Sequence, residues 1–167
     1  MKKRLLAVLL VLAIAIGAGL LLRRYGVGTV RVAGISMQET LRSGDITLVT
    51  RFDYLSDGPD RGDVVECRFP GREDTYVKRI VALPGDTVAF EGGRLILNGE
   101  AVEEPYTAGV TGDYAIKLGE DEYLALGDNR EESYDSRMED MGPVSRGDLL
   151  GRVRWILFPL NRFGPIQ

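Results

Sequence analysis

Ser36 and Lys78 are the two residues whose types and settings could carry hydrolytic chemistry together. The chain contains no histidine, which excludes a Ser-His-Asp triad, a Cys-His dyad and any histidine-ligated metal centre at once. A hydrolase built from this sequence must use another base. Four lysines are present, two of them Lys2 and Lys3, so Lys78 and Lys117 are the ammonium candidates outside the first segment. Cys67 is the single cysteine, so neither an internal disulfide nor a cysteine metal cluster can form.

Ser36 closes the β-like run VAGIS and precedes a turn expected over residues 41–45. A hydroxyl at a strand end can meet an extended substrate, although taken alone such a serine is more often a turn or capping residue. Lys78 lies in TYVKRIVALPGD, among Val77, Ile80, Val81 and Leu83. Strand alternation puts Lys78 on one face with Tyr76 and Ile80, and Arg79 on the other with Val77 and Val81, so one of the two charges is expected to point inward. A surface lysine with a snorkelling stem accounts for this segment equally well by itself. A lysine base must be neutral near pH 7, which costs about 4.6 kcal/mol against its ordinary pKa of about 10.4; burial in an apolar pocket can supply that.

The elements that must position these residues are legible in outline. With 167 residues and 44% apolar content, the chain suffices for one domain with its own core and a short appendage. Residues 1–24 read as a tip and membrane anchor: Leu5 to Leu22 carries no charge, lies between MKKR and RRYG, and as a helix spans roughly 27 Å. The Ala13/Ala15 pair sits inside the apolar run and not after it, which favours a retained anchor over a cleaved signal. The basic residues before the run slightly favour a cytoplasmic amino terminus. All 25 acidic residues follow the run, so the main domain is acidic and no nucleic-acid partner is expected. Residues 25–167 read as a mainly β domain, an antiparallel sheet or barrel, because short β-rich stretches alternate with Gly, Pro and Asp. VAFEGGRLILNGEAV reads as a hairpin turning at Gly92-Gly93, with a second turn at Asn98-Gly99. The tail FPLNRFGPIQ fits either a terminal strand or a segment resting on a membrane surface.

Four ordered blocks give this pattern a family resemblance: GISMQETL around Ser36, RGDVVECRFP from Arg61, YVKRIVALPGD around Lys78, and GDNREESYDSR from Gly127, followed by GPVSRGDLLGRV. In these blocks the chain resembles the type I signal peptidases of bacteria across nearly its whole length. The resemblance implies a single-pass protein of the plasma membrane with its catalytic domain on the outer face, acting on the signal peptides of exported preproteins. It puts the nucleophile on Ser36, the general base on Lys78, a serine that hydrogen-bonds the lysine on Ser133, and a supporting acid and arginine on Asp135 and Arg137. Asp128 and Arg130 match residues that look structural in the family. Substrate is then expected as an added strand, with pockets for small residues such as Ala lined by Val32, Ala33, Gly34, Met37, Leu41, Tyr76 and Val77. No cofactor is implied, and the acidic spacing of GDNREESYDSR fails the D-x-[DN]-x-[DN]-G calcium pattern, so no metal is expected.

Two positions depart from the family pattern. Gly34 stands where some relatives carry a hydroxyl residue that helps hold the oxyanion. Glu39 stands where S-M-x-P-T-L has proline; facing Lys78 it would favour the ammonium form, so an active enzyme must turn it outward. The span from Gly85 to Gly127 is short, as in compact single-anchor members. A self-cleaving β-rich repressor would carry a DNA-binding head where this chain has an apolar run. A specialised processing peptidase and a catalytically silent tethered module remain as alternatives.

Overall fold

A segment that is apolar on every side, and not along one stripe, forms the helix α1 (Lys2–Tyr25), with Val8 to Leu12, Ile14, Ile16 and Leu20 exposed. The computed structural model describes residues 2–54 and 58–166, without the side chains of residues 2, 3, 5–7 and 21–25. The anchor expected over Leu5 to Leu22 therefore falls partly outside the described residues. Among those described, no helix is long and apolar enough to cross a membrane.

After Tyr25 the chain is antiparallel β structure with single 3-10 turns. The strands are β1 (Val27–Arg31), β2 (Ile46–Thr50), β3 (Val64–Cys67), β4 (Tyr76–Ala82), β5 (Thr87–Glu91), β6 (Arg94–Leu97), β7 (Glu100–Val102), β8 (Tyr114–Lys117), β9 (Glu122–Leu126), β10 (Val144–Ser145), β11 (Leu149–Phe158) and β12 (Gly164–Pro165). The larger sheet is an antiparallel half-barrel with strand order β1-β2-β11-β3-β4-β9-β10, and β12 folds back onto β11. The tail is thus a terminal strand, with Trp155 opposite Pro165. Bulges along β11, between Val153 and Trp155 and again before Phe158, bend this long central strand and curl the sheet.

The smaller sheet, β7-β6-β5-β8, contains the expected hairpins. Glu91 pairs with Arg94 and Leu97 with Glu100, leaving two-residue turns at Gly92-Gly93 and Asn98-Gly99. All four turn residues have positive φ, from 53° to 86°, as tight hairpins following the strand twist require.

Three apolar clusters fill the domain. One packs Val65, Cys67, Ile80 and Tyr123 under the face of β4 that carries Lys78. A second joins Val81 to the small sheet through Val88, Phe90 and Leu95. The third sets Val32, Met37 and Leu41 against Val49, Val64 and Val153. Tying these clusters together is a buried ion pair: Arg79 donates from Nε and Nη2 to the two oxygens of Asp128 at 2.9 and 2.8 Å, and both side chains are almost wholly enclosed. Arg79 also donates to the Gly62 carbonyl at 2.8 Å and lies 4.0 Å from the centre of the Tyr106 ring. Removing one partner strands a buried charge, so Asp128→Ala is expected to lower unfolding free energy by about 3–5 kcal/mol in urea titrations of the full chain. Asp140→Ala, which breaks the exposed Arg72–Asp140 pair, is expected to cost less than about 1 kcal/mol.

Candidate active site

Lys78 sits in the middle of β4, opposite Val65 of β3 and between Tyr76 and Ile80 on its face of the sheet. Its side chain is 2% exposed, and so is that of Arg79. The expectation that only one of the two would point inward is corrected here: the half-barrel is covered on both faces, so alternation sends neither charge to water. The two meet different partners. Arg79 has a carboxylate, whereas Lys78 donates from Nζ to the hydroxyl of Ser133 at 3.0 Å. Burial holds the Lys78 ammonium below its ordinary pKa, against the opposing pull of Asp135.

Asp135 is fully buried two residues beyond Ser133. Burial alone would raise its carboxyl, but the Arg137 guanidinium, with further hydrogen bonds from Ser133 and the Gly127 N–H, holds it below the usual carboxylate range. Arg137 grips it through Nε and Nη2 at 2.8 and 2.9 Å and caps the Arg130 carbonyl at 2.8 Å. Arg130 is committed to Glu104 at 2.7 and 2.6 Å. Ser133, Asp135 and Arg137 are therefore brought together beside Lys78, while Asp128 and Arg130 brace the frame.

Ser36 begins a tight turn over residues 36–40, five residues past the end of β1 and not at a strand end as the sequence suggested. Two residues that the sequence reasoning quoted without a role hold this turn. Asn129 donates its backbone N–H to the Ser36 carbonyl at 3.0 Å and its side-chain amide to the Ile35 carbonyl at 3.3 Å. Gly127 lies so close that an added Cβ would stand 2.4 Å from the Ser36 carbonyl oxygen and 2.2 Å from the Ser133 hydroxyl. Their place on either side of Asp128, just past the end of β9, was the available signal, but closeness to Ser36 is set by a pairing across more than 90 residues. Among the described residues neither the Ser36 N–H nor its hydroxyl has a hydrogen-bond partner, so the Ser36–Lys78 contact is open here; such contacts commonly tighten only with substrate bound.

A groove of about 400 Å³ runs past Ser36. Val30 to Gly34 with Met37 form one wall, and residues 74–78, Tyr76, Val77 and Lys78 among them, form the other. Leu41, expected in this lining, instead lies fully buried in the cluster beneath it. Gly34 has φ +90°, a conformation in which a side chain is strained, so the backbone itself disfavours a hydroxyl residue at this position. Glu39 is exposed and forms no ion pair among the described residues.

The model of one family, signal peptidase, peptidase S26, matches residues 4–158. The chain belongs to the signal peptidase family. Its activity is that of a signal peptidase I, a serine peptidase. Signal peptidase I P of Bacillus subtilis subsp. natto is 33% identical over 90% of this chain and 87% of its own length. Signal peptidase IB of Staphylococcus aureus is 30% identical over 98% of this chain and 94% of its own. The crystal structure of a signal peptidase I from Enterococcus faecalis superposes with a TM-score of 0.51 at 28% identity, covering 56% of this chain and 95% of that one. Just over half of this chain thus shares its fold with that signal peptidase.

Because the folded state holds Lys78 below its ordinary pKa of 10.5, the unfolded state binds more protons between the lowered value and 10.5. The Lys78 contribution to stability must therefore rise with pH through that window. Subtracting the stability–pH curve of Lys78→Met from that of the wild type is expected to leave a positive slope there; a flat difference would mean that the amine titrates alike in both states.

Proposed function

We propose that this chain removes signal peptides from exported preproteins by acyl transfer, with Ser36 as nucleophile and neutral Lys78 as general base. The observation that carries this assignment is the burial of Lys78, with a hydroxyl and, among the described residues, no carboxylate as its direct partner, on a groove that also contains Ser36. In the first step Lys78 Nζ takes the proton of the Ser36 hydroxyl as the oxygen attacks the scissile carbonyl. The unspent Ser36 N–H is available to the oxyanion. The lysine then returns the proton to the departing amine, which leaves an acyl-enzyme. Water, deprotonated by Lys78 Nζ, attacks the acyl carbonyl, and the proton passes to Ser36 Oγ as the signal peptide leaves.

Substrate enters as an added strand. Residues 76–78 of β4 have β3 on one side, while β9 begins to pair only at Arg79, so their other edge is open toward the groove. β1 likewise pairs with β2 alone. An extended peptide between these edges gains main-chain hydrogen bonds, and the walls of Val32, Ala33, Met37 and Tyr76 favour small side chains such as Ala near the cut. The all-round apolar surface of α1 supports its role as a single anchor in the plasma membrane, amino terminus cytoplasmic and domain on the outer face.

The test is cleavage of an Ala-x-Ala preprotein by the full chain in detergent. Ser36→Ala and Lys78→Ala are each expected to lower kcat at least ~10³-fold, and Lys117→Ala, an exposed change on β8, to leave it within about twofold. The base acts only when deprotonated, so kcat rises with pH along a limb that the lowered Lys78 pKa moves to lower pH. Full activity of Lys78→Ala would refute the dyad.

A further inference from the structure

The turn that carries Ser36 separates the groove from a second cavity of about 580 Å³. Ser36 and Met37 line the groove; Glu39 and Thr40 line the second cavity, facing Pro105, Tyr106, Ile156 and Ile166. The turn is closed by the Leu41 N–H on the Met37 carbonyl at 2.7 Å. One such turn advances about 5 Å, a distance that an extended peptide covers in about two residues. When the acyl part of a substrate occupies the groove, the departing part must leave past Ser36, and this cavity is within reach of its first few residues.

The cavity wall is firmly held, and the charges around it are spent on other partners. Thr40 donates its hydroxyl to Asp128 at 2.5 Å, and Arg162 donates to the Thr40 carbonyl at 3.1 Å and to Asp45 at 3.0 Å. Tyr106 donates its hydroxyl to Glu104 at 3.0 Å, and Glu104 is itself paired with Arg130. Glu39, by contrast, is exposed at the rim and unpaired among the described residues. The result is an apolar shelf with one uncompensated carboxylate at its edge.

We propose that this cavity receives the substrate segment just after the cut and that Glu39 makes the enzyme prefer Lys or Arg over Asp or Glu there. The inference rests on Ser36 being the nucleophile, as proposed above. It gives the residue standing in the usual proline position a role in choosing substrates and not in the chemistry itself.

The experiment compares two preproteins that differ only by Lys or Glu at the second and third positions past the cut, each cleaved by the full chain and by Glu39→Gln. The readout is the ratio of kcat/KM for the two substrates, which a merely structural effect of the substitution on activity would leave unmoved. The wild type is expected to favour the Lys substrate by about two- to fivefold per position at low salt, with the preference weakening at high salt. In Glu39→Gln the ratio is expected to fall toward one. An equal ratio in both enzymes overturns the inference while leaving the dyad intact; failure of the wild type to cleave either substrate overturns the dyad assignment and this inference with it.

Discussion

Keeping an ammonium group out of water is the constraint on which the rest of this site depends. Lys78 loses hydration because β3 pairs along one side of it and the cluster of Val65, Cys67 and Ile80 fills the space beside it. A carboxylate in direct contact would return what burial removes, by favouring the charged form. The structure avoids this in two ways. The group that Lys78 touches is a neutral hydroxyl, and the nearby Asp135 is clamped by Arg137, whose positive charge opposes that of the lysine. Cys67, an ionisable neighbour on the adjacent strand, is pushed by burial up to about 12 and stays neutral.

Arg79 is the internal control for this argument. It is adjacent in sequence, equally buried and on the same strand, yet it meets a bidentate carboxylate and a carbonyl. Its buried charge is compensated by that carboxylate, which Lys78 lacks as a direct partner among the described residues. An arginine also keeps its charge at any working pH, whereas a lysine can give it up. The paired basic residues of YVKRIV thus divide the work: Arg79 braces the fold through Asp128, while Lys78 is left nearly without compensation in a groove that substrate can reach.

Much of this could be read from the sequence, for identifiable reasons. Elimination of histidine narrowed the base to two lysines, and Lys117 turns out to lie at the surface of the small sheet. Gly92-Gly93 and Asn98-Gly99 fixed the two hairpins, since few residues other than Gly and Asn accept positive φ twice in succession. What escaped depends on contacts between segments far apart in the chain. Asn129 and Gly127 act on the Ser36 loop through pairing that no local pattern reports, and Leu41, placed in the lining by the family resemblance, packs beneath the groove. Alternation misjudged the Lys78-Arg79 pair because it assumes one wet face, and β4 has none. Glu39, which would have favoured the ammonium form if it faced Lys78, is exposed and forms no ion pair among the described residues.

The proposed mechanism requires the amine of Lys78 to be neutral at working pH, and the scarcity of lysine makes that directly observable. Full-length protein labelled with 13C at lysine Cε has four signals, and the one lost in Lys78→Met can be followed by NMR across a pH titration. This signal is expected to titrate well below the ordinary lysine value of about 10.4, at the midpoint of the rising limb of the pH–rate profile. A Lys78 signal titrating with the other three lysines would contradict it.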